Sequence, residues 1–334
     1  MKTRVVPFAL ILSVGVAVSA FARDEAPKPA TSAAAKTAAE VQIGSLTVGD
    51  KAPALAINKW VKGSPVTSFE PGKVTVVEFW ATWCGPCKAS MPHLTELQKK
   101  YRDQGVTIIG VTSVDPRNTL AGVEKMTAEK ADVMGYTIAW DQERQTTTAY
   151  MMAAAQPGIP TAFIVDQTGT IAWIGSPFEM DEPLAKIVAG KWDVAAARSE
   201  FQPKQQETIG MMQFSMASRA KNVQAMLENG QKLLDSRAKD PNIMNMVAWS
   251  IVDPDRGIDL KANPKLAALA LAAANKANEA TGGKEPGMLD TLAWAQFANG
   301  DTAGAIATEQ KAIGLAKDAE LKKELEASLA RFQK

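Results

Sequence analysis

Two cysteines, Cys84 and Cys87, are the residues whose type and spacing indicate chemistry. They are the only cysteines in 334 residues, and two residues separate them. A disulfide that closes so short a loop removes little entropy from the unfolded chain, so it contributes little to stability and suits redox exchange better. A structural zinc site needs four protein ligands, and the sequence offers only His93 as a further soft ligand. The pair is therefore interpreted as a redox-active dithiol.

A strand and a helix must position this pair. Residues 74–80 are a β-branched and aromatic run of strand length, and residues 88–104 carry apolar side chains at helical spacing. The dithiol falls between them, at the start of the helix, where unsatisfied N–H groups and the helix dipole favour a thiolate. Cys84 is predicted to be the exposed attacking thiol. Cys87, one turn further in, is predicted to be shielded and to resolve the mixed disulfide.

The rest of the pattern up to residue 200 alternates between strand-like and helix-like segments. Further strands are predicted at residues 106–111, 136–140, 161–165 and 170–174, and further helices at residues 119–134, 144–154 and 182–189. The order β-α-β-α-β-α-β-β-α predicts an α/β fold with helices on both faces of a mixed sheet. After about Phe201 the strand signal disappears and helical periodicity takes over, so a separate all-α domain is predicted.

The helical half of the sequence repeats. Ala270 and Ala277 recur about 35 residues later as Ala305 and Ala312, which predicts a pair of helical hairpins. The period and the small residues resemble a tetratricopeptide repeat. The motif's two aromatic positions and its proline position hold other residues here, namely Gln296, Glu309 and Lys317.

The amino terminus has the pattern of a secretory signal. Lys2 and Arg4 precede an apolar run at residues 5–18, and Ala20-Phe21-Ala22 forms a small-x-small cleavage site. The alternative is an uncleaved membrane anchor, for which the run is short. The predicted domains are a signal peptide at residues 1–22, a flexible Ala- and Pro-rich leader at 23–45, a redox domain at 46–200 and a helical domain at 201–334.

Composition excludes several classes of protein. Hydrophobic residues make up 46% of the chain and charged residues 22%, and the net charge is +1, so neither a disordered chain nor a nucleic-acid binder is expected. No nucleic-acid partner is predicted.

The stretch from Val76 to Cys87, with the sequence VVEFWATWCGPC, resembles the thioredoxin superfamily, and more closely its exported TlpA-like and ResA-like reductases. The resemblance covers residues 46–193 and implies a thioredoxin fold for the redox domain. It also implies that Glu78 lies buried beneath the active site and moves a proton to or from the resolving thiol. A buried carboxylate beside thiols should have a raised pKa, as such a role requires.

The same resemblance implies a set of substrate-binding residues. The segment Gly158-Ile159-Pro160-Thr161 matches the family's cis-proline loop, in which Ile159 offers backbone groups to a substrate strand and Pro160 keeps other ligands away from the sulfurs. Trp83 is expected to form an exposed platform beside Cys84. The dipeptide Gly85-Pro86 resembles that of reducing thioredoxins, which favours disulfide reduction.

These observations predict an exported, periplasmic thiol:disulfide oxidoreductase that reduces disulfides of exported proteins. No cofactor is expected beyond the Cys84–Cys87 pair, and a membrane thiol reductase is expected to supply electrons. One alternative is a thiol peroxidase, although that family needs a threonine where this chain has Ala81. In another, the helical domain binds a protein partner as the main function and the redox domain is an accessory, or the helical domain merely stabilises the redox domain.

Overall fold

Six β-strands form one mixed sheet in the order β1-β4-β3-β2-β5-β6. The computed structural model describes residues 42–236 and 240–334. The strands are β1 Lys59–Lys62, β2 Val74–Trp80, β3 Val106–Ser113, β4 Thr137–Asp141, β5 Thr161–Val165 and β6 Ile171–Gly175. At the centre, β2 pairs in parallel with β3 and antiparallel with β5. The carboxyl end of β2, from which the chain enters the dithiol, therefore lies inside the sheet and not at an edge.

The central strand β2 is buried along all seven of its residues. Its β-branched and aromatic composition suits a strand that is covered on both sides. Because successive side chains point to opposite faces, Val76, Glu78 and Trp80 share one face, while Val77 and Phe79 share the other. Each face contributes to its own hydrophobic core.

Helices cover both faces of the sheet, as predicted. The helices of this part are α1 Gly85–Tyr101, α2 Leu120–Glu129, α3 Gln145–Thr147 and α4 Asp181–Val188. Residues of α1, α2 and α4 pack in the core that contains Val76 and Trp80. On the opposite face, Tyr150 packs with Phe79 and Phe163 in edge-to-face and tilted ring contacts. The predicted α/β thioredoxin fold is confirmed.

Two predicted helices differ from the structure, and one strand was not predicted. The edge strand β1, with the sequence KWVK, was not predicted because four residues with lysine at both ends carry little strand signal. The helix predicted at residues 119–134 ends at Glu129. The helix predicted at residues 144–154 is only the short α3, which continues as a π-helical turn over Thr148–Met152.

After the sheet, all described secondary structure is helical. The helices are α5 Val194–Arg219, α6 Val223–Asp235, α7 Pro241–Val252, α8 Pro264–Thr281, α9 Pro286–Ala298, α10 Thr302–Leu315 and α11 Ala319–Phe332, with a 3-10 turn at Pro254–Arg256. Asp193, Asn222 and Asp301 cap α5, α6 and α10 by accepting backbone N–H groups. Helices α7 and α8 pack as one hairpin and α9 and α10 as another, which confirms the predicted helical-hairpin architecture.

The helix α5 belongs to both parts of the protein. Near its start Val194 and Phe201 pack against the sheet, and near its end Phe214 lies in the core of the helical part. The predicted domain boundary between residues 200 and 201 therefore falls inside a continuous helix.

Within the described residues, no helix is both long and apolar enough to cross a bilayer. The predicted signal peptide and most of the leader, residues 1–41, lie outside the described residues.

Candidate active site

The dithiol lies where the central strand passes into the first helix. After β2 ends at Trp80, a short turn leads to Cys84, which is the N-cap residue of α1 and has an extended backbone. Its Sγ accepts a hydrogen bond from the backbone N–H of Cys87 at 3.1 Å. Pro86 occupies the first turn of the helix, where its missing N–H costs no helical hydrogen bond. The helix start therefore presents N–H groups to the sulfur of Cys84.

The two cysteines are joined by a disulfide. Cys84 is 4% exposed and Cys87 is 1% exposed. The prediction of an exposed Cys84 is thus wrong for the disulfide form, because its sulfur turns toward the Cys87 N–H and lies 3.8 Å from the carbonyl oxygen of Ile159. Both cysteines are buried in this form, while the neighbouring Gly85 and Pro86 are exposed.

The loop expected to contact substrate lies against the disulfide. Its Ile159–Pro160 peptide bond is cis, and both residues are half-buried. The hydroxyl of Thr161 donates to the carbonyl of Gly158 at 2.8 Å, which closes the turn. The structure therefore brings the carbonyl of Ile159 to the sulfur of Cys84, and Pro160 follows in the same loop.

Trp83 stands at the surface beside the dithiol, with 41% of its area exposed. Its indole Nε1 donates to Asp115 Oδ2 at 2.8 Å. The guanidinium of Arg117 lies over the indole ring, 4.2 Å from its centroid. The ring is therefore held from its edge and from one face.

Asn118 fixes the turn that precedes the dithiol, and sequence reasoning did not identify it. Its side chain is completely buried, and its Oδ1 accepts from the backbone N–H and the hydroxyl of Thr82 at 2.9 and 2.7 Å. Its Nδ2 donates to Thr112 Oγ1 at 2.9 Å and to the Ser113 carbonyl at 2.6 Å. One signal could have revealed it: the polar segment at residues 115–118 follows a strand parallel to β2, and parallel strands bring their carboxyl ends to the same edge.

Glu78 lies in the middle of β2 and is 1% exposed. Its neighbours across the ladder are Gly110 on β3 and Ala162 on β5. Burial raises the pKa of its carboxyl from 4.5 to about 8, because desolvation penalises the charged form. Neither carboxyl oxygen has a hydrogen-bond partner in the described part of the chain. Glu78 points to the face covered by α1, the helix that carries Cys87.

His93 does not lie with a set of metal ligands. Its Nε2 is 2.9 Å from Asp181 Oδ2 in a partly exposed contact between α1 and α4. Over residues 42–236 and 240–334, no group of three or more His, Cys, Asp or Glu side chains could hold a metal ion.

Comparison with known proteins identifies the family. The redoxin family model matches residues 47–187. The thiol-disulfide oxidoreductase ResA of Geobacillus kaustophilus is 32% identical over 130 residues, which cover 39% of this chain and 70% of ResA. The chain belongs to the redoxin family of thiol-disulfide oxidoreductases. Protein FixW of Rhizobium leguminosarum is 29% identical over 152 residues, which cover 44% of this chain and 69% of FixW.

A solved structure is also similar to this redoxin. The thioredoxin domain of a thiol-disulfide oxidoreductase from Bacteroides vulgatus is 26% identical, with a TM-score of 0.37; the match covers 43% of this chain and 99% of that one.

The redoxin match and the helical region occupy different parts of the chain. The matched residues end at residue 187, before α5 begins at Val194. The redoxin part is a thiol-disulfide oxidoreductase with its cysteine pair at Cys84 and Cys87.

Proposed function

We propose that this redoxin is exported and reduces disulfide bonds of other exported proteins through Cys84 and Cys87. The observation that carries the proposal is the N-cap geometry of Cys84, whose Sγ accepts the Cys87 N–H at 3.1 Å. Backbone N–H groups and the helix dipole stabilise a thiolate at this position. A thiolate is the nucleophile that disulfide exchange requires.

The reaction proceeds through a mixed disulfide. The Cys84 thiolate attacks one sulfur of the substrate disulfide, a bond forms between them, and the released substrate thiolate takes a proton from water. Cys87 then loses its proton to the Glu78 carboxylate and attacks Cys84 Sγ. This second step forms the Cys84–Cys87 disulfide and releases the second substrate thiolate. Two electrons pass from the dithiol to the substrate, so the cysteine pair needs no bound cofactor.

The protonation of Glu78 supports its part in the second step. With its pKa at about 8 in the disulfide form, the carboxyl is largely protonated at neutral pH. That is the state left after it has accepted the proton of Cys87. When an electron donor reduces the disulfide again, the same proton returns to Cys87, so the cycle closes without a buried charge in its oxidised state.

The surface around the disulfide supports binding of an extended polypeptide. The carbonyl of Ile159 faces the sulfur of Cys84 at 3.8 Å and is placed to accept an N–H from a substrate strand. Pro160 has no N–H, and we propose that it keeps other ligands away from the sulfurs. Trp83, Gly85 and Pro86, close to Cys84 in the chain, are exposed. A thiol peroxidase has no comparable support, since the buried Ala81 offers no hydroxyl to a peroxide.

Export and electron supply follow from the sequence pattern and from the chemistry. The basic residues, apolar run and small-x-small site of residues 1–22 support secretion into the periplasm. A reductase outside the cytoplasm consumes its dithiol at each turnover, so we propose a membrane thiol reductase as its electron donor.

For the helical region we propose recruitment of a protein partner. Helical hairpins present extended surfaces suited to this role, and the repeat spacing supports a tetratricopeptide-like arrangement. Because Phe201 and Gln205 of α5 pack against the redox part, a deletion at the predicted boundary would damage the sheet. A chain that ends after Lys221 keeps these contacts. It should lose turnover on the natural substrate and keep turnover on a small disulfide, and equal retention of both would contradict recruitment.

The dithiol mechanism is tested by trapping its intermediate. Cys87→Ser should accumulate a mixed disulfide between Cys84 and exported proteins, visible on non-reducing gels and by mass spectrometry. Cys84→Ser is the matched control and should trap nothing. Equal yields from the two variants would contradict the assignment of Cys84 as the nucleophile.

A further inference from the structure

Three polar side chains on one face of the sheet are buried without a partner. Both carboxyl oxygens of Glu78, the indole Nε1 of Trp80 and the hydroxyl of Tyr136 make no hydrogen bond to any described residue. Trp80 and Tyr136 are each 4% exposed, and Glu78 is 1% exposed. Buried polar groups are usually satisfied, so three such groups on one face require an explanation.

Trp80 and Tyr136 meet over Gly110, which is the ladder neighbour of Glu78. On β3, Gly110 is the ladder neighbour of Glu78 on one side and of Ile138 on the other. A Cβ atom at Gly110 would lie 3.0 Å from Trp80 Nε1 and 3.0 Å from Tyr136 Cε2. The indole N–H and the phenol ring therefore occupy the space that a side chain at position 110 would fill, next to Glu78. Any larger residue would displace them.

The surroundings leave few other groups that could act on Glu78. The titratable side chains in the core on this face are Cys84 and Cys87 at the start of α1, Tyr101 at its end, and Tyr136. Tyr101 follows Cys87 by 14 residues of helix, about 21 Å along its axis. The neighbouring strand β5 contributes Ala162, and helix α4 contributes Leu184; both side chains are apolar.

Electrostatics also link Tyr136 to Glu78. Burial and, second to it, the negative charge of Glu78 hold the pKa of Tyr136 well above its usual value. The phenol therefore stays neutral and remains a hydrogen-bond donor at any pH at which the enzyme works. The indole N–H of Trp80 can only donate. Both groups can donate a hydrogen bond to an ionised carboxylate, which can only accept hydrogen bonds.

We propose that Tyr136 and Trp80 are positioning residues for Glu78, whose O–H and N–H groups stabilise its carboxylate when the proton has moved to Cys87. The inference rests on the proton-carrying role of Glu78 in the proposed function. In the disulfide form the carboxyl is protonated and the two donors are not engaged. In the dithiol form the carboxylate is the acceptor that both donors lack. The surroundings of Glu78 thus accommodate both its protonated and its ionised form.

The test is the ionisation of Glu78 itself, followed in both redox forms of the full chain. Carboxyl-labelled glutamate gives a carbon resonance that titrates with pH, and Glu78→Gln identifies it by its loss. Tyr136→Phe removes the hydroxyl and keeps the ring, and Trp80→Phe removes the indole N–H. Since each loses one hydrogen bond to a charged group, each should lower the ionisation constant of Glu78 by about tenfold. Tyr101→Phe, which removes the hydroxyl of a buried tyrosine at the far end of α1, should leave it unchanged.

The outcomes separate this inference from the function on which it rests. An unchanged ionisation constant in Tyr136→Phe and Trp80→Phe, in both redox forms, would overturn the positioning role. If Glu78→Gln left the pH dependence of disulfide exchange intact, the proton-carrying role would fail even though Tyr136→Phe shifted the titration. Two independent variants keep the test decisive if one of them does not fold.

Discussion

Asn118 holds Thr82 by two hydrogen bonds, at 2.9 Å to the backbone N–H and at 2.7 Å to the hydroxyl. Thr82 lies two residues before Cys84, and Asn118 is anchored in turn to the end of β3 through Thr112 and Ser113. The turn that carries the nucleophile is therefore tied to the neighbouring parallel strand. These hydrogen bonds, together with the N-cap position of Cys84, fix the position of its sulfur.

Asn118→Ala should destabilise the protein and slow disulfide exchange. The change removes the four hydrogen bonds of this buried side chain, each of which contributes about 1 kcal/mol, and leaves the backbone N–H of Thr82 without its partner. The loss should appear in urea unfolding monitored at constant pH. Thr82→Val removes only the hydroxyl bond to Asn118 Oδ1 and keeps the other three bonds of Asn118, so its loss should be smaller in both measurements. If Asn118→Ala and the natural protein had the same unfolding midpoint and rate, the anchoring role would be wrong.

Glu78→Gln should change how stability depends on pH. The folded-state pKa is raised from 4.5 to about 8, so the contribution of the protonated carboxyl is fully present below pH 4.5 and is lost as the pH rises through 8. Within this window the natural protein should lose about 1.4 kcal/mol per pH unit relative to the glutamine variant. Urea unfolding of the disulfide form at pH 5, 6, 7 and 8 measures this difference. Parallel pH dependences would show that Glu78 is not buried as described.

Glu309 offers the same test in the helical region. Its side chain is completely buried in α10, and burial together with the neighbouring Asp290 raises its pKa. A raised pKa again means that stability falls as the pH rises, so Glu309→Gln should stabilise α9 to α11 more at pH 8 than at pH 5. Hydrogen exchange of these helices measures the change, and exchange in the sheet serves as the internal control. Destabilisation at pH 8 would contradict a raised pKa of Glu309.

Gln205 connects the helical region to the loop beside the disulfide. Its Nε2 donates to the carbonyl of Leu46 at 2.6 Å and to that of Ala154 at 3.1 Å, shortly before Ile159 and Pro160. Gln205→Leu should leave the Leu46 carbonyl unpaired, at a cost of about 1–3 kcal/mol, and leave the Ala154 carbonyl with only its bond from Gln156 Nε2. Hydrogen exchange should rise at residues 153–158. Gln206→Leu, at the exposed neighbouring position of the same helix, is the control, and equal effects of the two would contradict the link.

Features that depend on residues close together in the sequence could be predicted, and features that depend on residues far apart in the sequence could not. Short sequence patterns of spacing and periodicity indicate the dithiol, the central strands and the helix hairpins, so these features could be predicted. Asn118, Asp115 and Arg117 act only because β2 and β3 end side by side, and a polar turn after a strand has no local sign of what it will bind.

Other residues were missed because their local pattern suggested something else. Gln205 has the composition of a solvent-exposed helix position, yet it is buried because α5 crosses from the sheet to the helical region. The role of Gly110 is visible only in the structure, where the absence of a side chain leaves space for the rings of Trp80 and Tyr136.

The reduction potential of the Cys84–Cys87 couple tests the central claim most directly. The purified protein would be equilibrated against dithiothreitol or glutathione buffers, and the fraction of free thiol would be read by alkylation and mass spectrometry. A potential near that of thioredoxin, about −270 mV, is the predicted result and fits a reductase supplied with electrons from the membrane. A potential near about −120 mV would make the protein an oxidant of newly exported chains and would contradict the proposed direction of electron flow.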